Sequence, residues 1–525
     1  MTNSIGEIED NDVLLIIGSN ATEAHPIIGN KMKKAIQKGA RAIVIDPRKT
    51  ELATMAKYHL PLNSGTDACL INGLMHIIIE NEWHDEEYIK ERCIGFESLK
   101  ENVARYTPEY TEEVTGISKD VLKKAAKLYA TTKKAGIFYT LGITEHTTGT
   151  DNVMNLANLG MLTGHIGIEN AGINPLRGQN NVQGSCDMGA LPNYFPGYKF
   201  CDNKDNVEQF ERFWGVKLND KLGLRIPEMF DGIADGLVRG MYVMGEDPVL
   251  TDPDANHVRK ALSSLDFLVV QNIFLTETAK LADVVLPASA YAEKDGTFTN
   301  TERRVQRVRA AVKPPEGVMT DLDILLTFAR KMGYPGFDYK NAQEVFEEIR
   351  KAIPSYAGIT FDRIDRDGLQ WGCPTIDSPG SKYLHAGEFT RGKGLMMPIE
   401  YIAPAELTND EYPILLNTGR MLYQYNVSTR ISETLEAIRP HELVEVNPAD
   451  AEKYNLADGE MARITSRRGS ITAHVKVTRR VKPGNIFMTF HYHESPVNEL
   501  TNSAADPVTK TAEYKISAVR IEKEA

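Results

Sequence analysis

Apolar runs and helical repeats alternate at the start of the chain. "DVLLIIGSN" (Asp12–Asn20) is an apolar run that ends in Gly18, and "HPIIGNKMKKAIQKGA" then has helical spacing with Gly39 near its stop. "RAIVIDPR" is a second apolar run ending at Asp46, followed by a short helical "TELATMA" and by "YHLPL". Apolar strands separated by amphipathic helices predict a β-α-β-α-β order in a parallel, doubly wound sheet.

The same rhythm returns later. "GMYVMGED" ends its strand at Gly245, "DANHVRKALSS" is helical, and "DFLVVQN" ends at Asn272. "TETAKLADVVLP" then follows "TELATMAKYHLP" in its small and apolar positions. Gly18 to Asp46 is 28 positions and Gly245 to Asn272 is 27, so the two copies keep register within one residue. The pattern predicts two Rossmann-like units related by an internal repeat. In such folds a ligand lies beyond the carboxyl ends of the strands, where a glycine lets a phosphate approach the backbone. Neither copy carries G-x-G-x-x-G, so a standard NAD fingerprint is absent. On the repeat alone, two α/β layers without a nucleotide remain an alternative.

A third rhythm begins near residue 396. "HELVEVNPADAEKYNLADGEMARITSRRGSITAHVKVTRRVKPGNIFMTF" alternates Val and Ile with polar residues and has turn signals at Asp458-Gly459 and Arg468-Gly469. One short helix interrupts it, with Asn447 as N-cap and Pro448 in the first turn. This predicts a C-terminal β-barrel of about 120 residues, reached through the Gly/Pro-rich "DGLQWGCPTIDSPGSKYLHAGEFTRGKG". The fold class expected is therefore α/β with an appended barrel, in three regions: 1–178, 179–395 and 396–525.

"INPLRGQNNVQGSCDMGALPNYFPGY" (Ile173–Tyr198) has neither period and reads as a long, shaped loop around one cation, Arg177. The plainest reading is an arginine in water, and the pattern alone leaves open what the surrounding glycines and amides would hold against it.

Composition narrows the classes. The 525 residues suit two to four domains, and 42% hydrophobic with 25% charged residues is ordinary for globular proteins. A net charge of −12 argues against a general nucleic-acid surface. No apolar run approaches the roughly 20 residues that span a bilayer. Five scattered cysteines, Cys69, Cys93, Cys186, Cys201 and Cys373, form no C-x-x-C pair, which fits a reducing, cytoplasmic setting and gives no local zinc or iron–sulfur motif.

Cations collect in two stretches that follow strands. Arg48 and Lys49 lie in "DPRKT", and Arg303, Arg304, Arg307 and Arg309 in "EKDGTFTNTERRVQRVR". In an acidic chain this would suit pyrophosphate groups; a solvated charged turn is the alternative for either. His491 and His493 have strand spacing without a third ligand in sight, so no metal ligand is assigned. No Ser-His-Asp grouping or H-E-x-x-H occurs.

Five segments together resemble the catalytic (alpha) subunits of molybdenum- or tungsten-dependent formate dehydrogenases, in the molybdopterin oxidoreductase superfamily. They are "GMLTGHIGIENAGINPLRGQNNVQGSCDMGALP", "VMGEDPVLTDPDANHVRKAL", "VVQNIFLTETAKLADVVLPAS", "EKDGTFTNTERRVQ" and "NELTNSAADPVTKTAEYK". The first is specific to formate dehydrogenases; the others are shared more widely. The resemblance implies two guanine-dinucleotide molybdopterins clasping one Mo or W ion, with a double-psi-like barrel. It implies that formate is oxidised to CO2 with two electrons and a proton released, reversibly in some members. Arg177 would anchor the formate carboxylate. Cofactor contacts would come from Gly18, Asn20, Asp46, Arg48, Gly65, Asp67, Gly142 and Gln179. Further contacts would come from Gly245, Asp247, Thr251, Gln271, Asn272, Asp321, Arg420, Asn498, Tyr514 and Lys515. Gln424, Met421 and Ala288 stand where various relatives have His, Glu and Ser, so the sequence departs from the pattern around the last loops.

The resemblance also implies parts that lie upstream of Met1. These are a metal-bound selenocysteine or cysteine with a neighbouring histidine, the cysteines of a [4Fe-4S] cluster, and an electron-relaying lysine. The expectation is a chain called from an internal methionine after an in-frame UGA, with a split gene or a deliberate truncation as alternatives. The expected partners are formate or CO2, that upstream segment, and an iron–sulfur, NAD-, F420- or hydrogenase-linked electron-transfer subunit. Two other functions stay open: a nitrate or other oxyanion reductase, against which "RGQNNVQG" weighs, and a non-catalytic cofactor-binding fragment.

Overall fold

The computed structural model describes residues 1–524. The chain forms two compact units. The first comprises 1–176, 248–259 and 383–525, and the second 177–247 and 260–382.

The first unit opens with a five-stranded sheet. Its strands are β1 (Val13–Ile17), β2 (Arg41–Ile45), β3 (Tyr58–Leu60), β4 (Ala135–Tyr139) and β5 (Ile173–Pro175), in the order β3-β2-β1-β4-β5. All four pairings are parallel. Every residue of the central β1 is buried, and successive side chains enter different layers. Val13, Leu15 and Ile17 pack with Leu70, Leu74 and Leu122, whereas Leu14 and Ile16 pack with Ile28 and Met32. A strand covered on both faces must be apolar throughout, which is why β1 shows no alternation. Pro26 pre-sets the first turn of the helix Pro26–Gln37.

The second unit holds β6 (Gly240–Met244), β7 (Phe267–Asn272) and β8 (Val284–Pro287), parallel in the order β8-β7-β6. Third, second, first is also the order of β3, β2 and β1 in the other sheet. Between β2 and β3 the first sheet has the helix Glu51–Met55, and between β7 and β8 the second has a 3-10 turn, Ala279–Leu281. A second small sheet, β9 (Gly296–Thr299), β10 (Arg304–Val308) and β11 (Leu369–Gln370), is antiparallel. The arginine-rich stretch is thus largely a hairpin.

The chain closes with a barrel of six strands, which belongs to the first unit. These are β12 (Ile414–Gly419), β13 (Leu443–Val446), β14 (Met461–Thr465), β15 (Ser470–Val477), β16 (Asn485–Thr489) and β17 (Ser517–Lys523), in the order β12-β16-β13-β15-β14-β17. Two pairs, β12 with β16 and β13 with β15, are parallel, and the rest are antiparallel. Alternating Ile471, Ala473 and Val475 of β15 fill the interior, as the period of two requires. The helix Pro448–Lys453 interrupts the barrel, and Asn447 caps it by accepting from the Ala449 N–H at 3.0 Å.

The stretch Ile173–Tyr198 departs from its reading as one long loop. It begins in β5 and contains the helix Val182–Asp187. The buried residues of that helix are Gln183, Gly184 and Asp187. A helix whose inner face is polar leaves no hydrophobic period to find.

Candidate functional site

In the first unit the candidate residues gather where β1, β2 and β4 end. Gly18 follows β1 with φ +54°, and its N–H donates to the Ile45 carbonyl at 3.0 Å. A Cβ on Gly18 would lie 2.6 Å from the Gly142 carbonyl carbon, and one on Gly142 2.6 Å from the Gly18 Cα. These two glycines therefore permit a backbone-to-backbone contact, closed by the Gly142 N–H on the Gly18 carbonyl at 3.1 Å. Asn20 accepts through Oδ1 from the Thr22 hydroxyl, while its Nδ2 is buried with no hydrogen-bond partner among the described residues.

Asp46 closes β2. Burial pushes its carboxyl up to about 6, although it accepts from the Arg48 N–H at 2.9 Å. Arg48 is itself engaged: Nε and Nη2 reach the two oxygens of Glu445 at 2.8 and 2.6 Å, and the guanidinium stacks 3.8 Å from the Phe487 ring. The cation expected to face pyrophosphate is thus already balanced within the protein. Gly65 packs against the barrel, since a Cβ there would come 2.3 Å from Pro404 and 2.5 Å from Ile516.

Asp67 opens the helix Asp67–Glu80, and its burial raises the carboxyl above the ordinary range. His146 lies 3.9 Å from Asp67 and 3.9 Å from Glu513. Burial lowers the His146 imidazole, but the Glu513 and Asp67 carboxylates outweigh it and raise the group above its usual value. Lys515 pairs with Glu145 at 2.6 Å and donates to the Thr418 carbonyl at 3.1 Å. Arg420 has its Nε buried without a hydrogen-bond partner among the described residues, and burial depresses its guanidinium. His146, Glu145 and Glu513 were not identified in the sequence; the polar run "TEHTTG" and the neighbour of Tyr514 were the only signals.

Three candidates from distant positions meet at one turn. Tyr514 OH and Asn498 Nδ2 both donate to the Thr251 carbonyl, at 3.0 and 3.1 Å, and Asn498 also to the Leu250 carbonyl at 2.8 Å. His491 uses both ring nitrogens on backbone, accepting from the Met421 N–H at 3.2 Å and facing the Asn426 carbonyl at 2.6 Å.

In the second unit Gly245 follows β6 with φ +67°, its N–H on the Gln271 carbonyl at 2.9 Å, and open space where a Cβ would point. Gln271 is fully buried, accepts from Tyr242 OH and donates to Asp321 at 2.6 Å. Asp321 is also paired with Lys294. Asn272 donates to the Glu246 carbonyl at 3.2 Å and accepts from the Ile273 N–H at 2.8 Å. Asp247 is buried and accepts from the Thr278 N–H and hydroxyl at 2.8 and 2.6 Å. Gln179 is exposed.

Arg177 is half-buried. Its N–H donates to Thr301 at 3.1 Å, its Nε to the Gln183 Oε1 at 3.0 Å, and its Nη1 lies 3.8 Å from the Cys186 sulfur. The hairpin arginines also make contacts within the protein. Arg303 is buried on the Trp371 carbonyl at 2.6 Å, Arg304 pairs with Glu302 at 2.8 Å, Arg307 stacks 4.0 Å from Phe361, and Arg309 donates to the Asp365 carbonyl at 2.6 Å. The partners of Arg303, Arg307 and Arg309 lie far along the chain, so these contacts were invisible in the local sequence.

The model of the molybdopterin oxidoreductase family matches residues 1–331, and that of the molybdopterin dinucleotide binding domain matches 414–518. The F420-dependent formate dehydrogenase subunit alpha of Methanocaldococcus jannaschii is 48% identical over 100% of this chain and 78% of its own length. Formate dehydrogenase H of Escherichia coli is 39% identical over 99% of this chain and 74% of its own length. The solved structure of acetylene hydratase from Pelobacter acetylenicus shares the fold, with a TM-score of 0.76, 20% identity, and coverage of 99% of this chain and 79% of that one. The chain belongs to the molybdopterin oxidoreductase family, and its likeness to formate dehydrogenase alpha subunits runs over its whole length.

Proposed function

We propose that this chain is the catalytic alpha subunit of a formate dehydrogenase. It oxidises formate reversibly to CO2, releasing two electrons and one proton, with a bis-molybdopterin guanine dinucleotide that holds Mo or W. The observation that carries this reading is 48% identity across the whole chain with a formate dehydrogenase alpha subunit.

The residues present fit such a cofactor in part. Asn20 Nδ2 and Arg420 Nε are buried donors without hydrogen-bond partners among the described residues, the kind of group that a polar pterin edge or a phosphate satisfies. Gly245 turns at positive φ into open space, which suits a backbone approached by a phosphate. The repeated strand order, with a positive-φ glycine after the first strand of each copy, supports one dinucleotide per copy. The regions 1–178, 179–395 and 396–525 are accordingly assigned as three dinucleotide-binding segments. Arg48 contributes through the Glu445 pair rather than as a free cation.

The bound cofactor supplies the acceptor for the two electrons. The protein's part is to bind and orient the substrate. Arg177 receives the carboxylate through its planar fork and holds it in one alignment, which converts binding energy into reactive geometry. Electrons pass on to a redox subunit, with an F420-linked one favoured by the F420-dependent relatives. The setting is cytoplasmic, in keeping with five free cysteines.

Arg177→Lys in the cofactor-loaded enzyme tests the assignment. The variant keeps the charge and loses the fork, so kcat/KM for formate should fall on the order of 10²- to 10³-fold, about 3–4 kcal/mol, with metal and pterin content unchanged. Normal formate kinetics would remove Arg177 from the reaction.

A further inference from the structure

Asp187 ends the helix Val182–Asp187 and is 2% exposed. Four neutral groups donate to it. Oδ1 accepts from Gln183 Nε2 at 2.7 Å and Tyr198 OH at 2.8 Å, and Oδ2 accepts from Trp371 Nε1 at 2.8 Å and from Tyr356 OH. A buried carboxylate so fully saturated by neutral donors is rigid, and each donor is oriented in turn.

The consequence falls on Gln183. Its Nε2 donates to Asp187 and, at 2.9 Å, to the oxygen of Tyr198, whose own proton is turned toward Asp187. A flipped amide would set a carbonyl oxygen against the carboxylate and leave both acceptors unserved. The amide therefore has one orientation, with Oε1 aimed at Arg177 Nε at 3.0 Å. Tyr198 holds φ +60°, a costly backbone for a large side chain, at the residue whose hydroxyl closes this ring of contacts.

We propose that Asp187 is a positioning residue: through Gln183 it sets the plane of the Arg177 guanidinium that receives formate. This rests on the formate reading given above. A bond to Nε stops rotation about the Cδ–Nε axis and so fixes the direction in which Nη1 and Nη2 point. Those two nitrogens form the edge that engages a carboxylate, so their direction sets the alignment of the substrate.

Asp187→Asn keeps the shape but replaces one acceptor oxygen with a donor, setting donor against donor inside the ring. In the cofactor-loaded enzyme kcat should fall about 10- to 100-fold while the KM for formate changes less than about 3-fold, since the charge of Arg177 remains. In an Arg177→Lys background the same change should cost less than about 3-fold, because lysine has no fork to orient. Independently of activity, phenylglyoxal should modify Arg177 at least about 3-fold faster in D187N than in the parent, read by peptide mapping. Should D187N fail to fold, Gln183→Met removes the acceptor for Arg177 Nε, leaves Asp187 three donors, and should give the same labelling and kinetic changes. Equal losses in both backgrounds, or unchanged labelling of Arg177, would overturn the proposal. An Arg177→Lys enzyme with full activity would sink the formate reading instead, and the labelling experiment would still decide the positioning role.

Discussion

Arg48 and Glu445 form a buried, two-pronged ion pair that ties the turn after β2 to β13 of the barrel. Both side chains are almost wholly withdrawn from water, and the guanidinium is sandwiched on Phe487. Breaking such a pair from one side strands a charge. Glu445→Ala should destabilise the chain by about 3 kcal/mol or more, whereas Arg48→Met with Glu445→Leu should cost much less. Urea unfolding of the two variants checks this; equal losses would mean that the pair's geometry, not its charge balance, is what matters.

The contact of Gly18 with Gly142 leaves no room for a methyl group on either side. Gly142→Ala should cost about 1–3 kcal/mol through forced backbone movement. Gly18→Ala should cost roughly 1 kcal/mol more, because it adds a side chain at positive φ. Thermal melts of the two single variants would rank them, and a neutral Gly142→Ala would refute the close approach.

Glu442 is buried and accepts from Thr489 N–H at 3.0 Å, from Thr489 OH, and from Leu443 N–H at 3.0 Å, yet burial pushes its carboxyl up to about 7. An acid raised on folding is neutral at low pH in both states. As pH rises past the ordinary value of 4.5, the unfolded chain loses its proton first, so stability falls between about 4.5 and about 7 and then levels off. Glu442→Gln should abolish that decline and be more stable than the parent above pH 7, by up to about 3 kcal/mol. Denaturant midpoints measured at pH 5 and pH 8 test it; parallel pH profiles for parent and variant would contradict the shift.

If each copy of the strand repeat holds a dinucleotide, acid release from the loaded enzyme should yield about two guanine nucleotides per metal ion. One guanine, or adenine, would end the two-site reading. Arg420→Met should lower that guanine yield without weakening the fold, because it removes a buried guanidinium whose Nε has no hydrogen-bond partner among the described residues. Loss of stability with full cofactor content would assign Arg420 a structural role instead.

Much of this was legible in the order of residues. The apolar runs ending at Gly18, Asp46, Gly245 and Asn272 announced four parallel strands; for β1 and β2 the reason is burial on both faces, which demands apolar residues throughout, whereas β6 and β7 are partly exposed. The alternation in β15 and the cap at Asn447 announced the barrel and its one helix for equally local reasons. Arg177 stood out because it is a lone cation among glycine and amides.

What remained hidden were pairings of polar groups. Glu445 is 397 positions from Arg48, and Tyr356 is 169 from Asp187. A carboxylate reads the same in a sequence whether it faces water or a buried donor. Hydrophobic periodicity is a local consequence of backbone geometry and so can be read along the chain. The partner of a buried charge is chosen by which distant segments the completed core brings within hydrogen-bond reach, and only the folded chain contains that information.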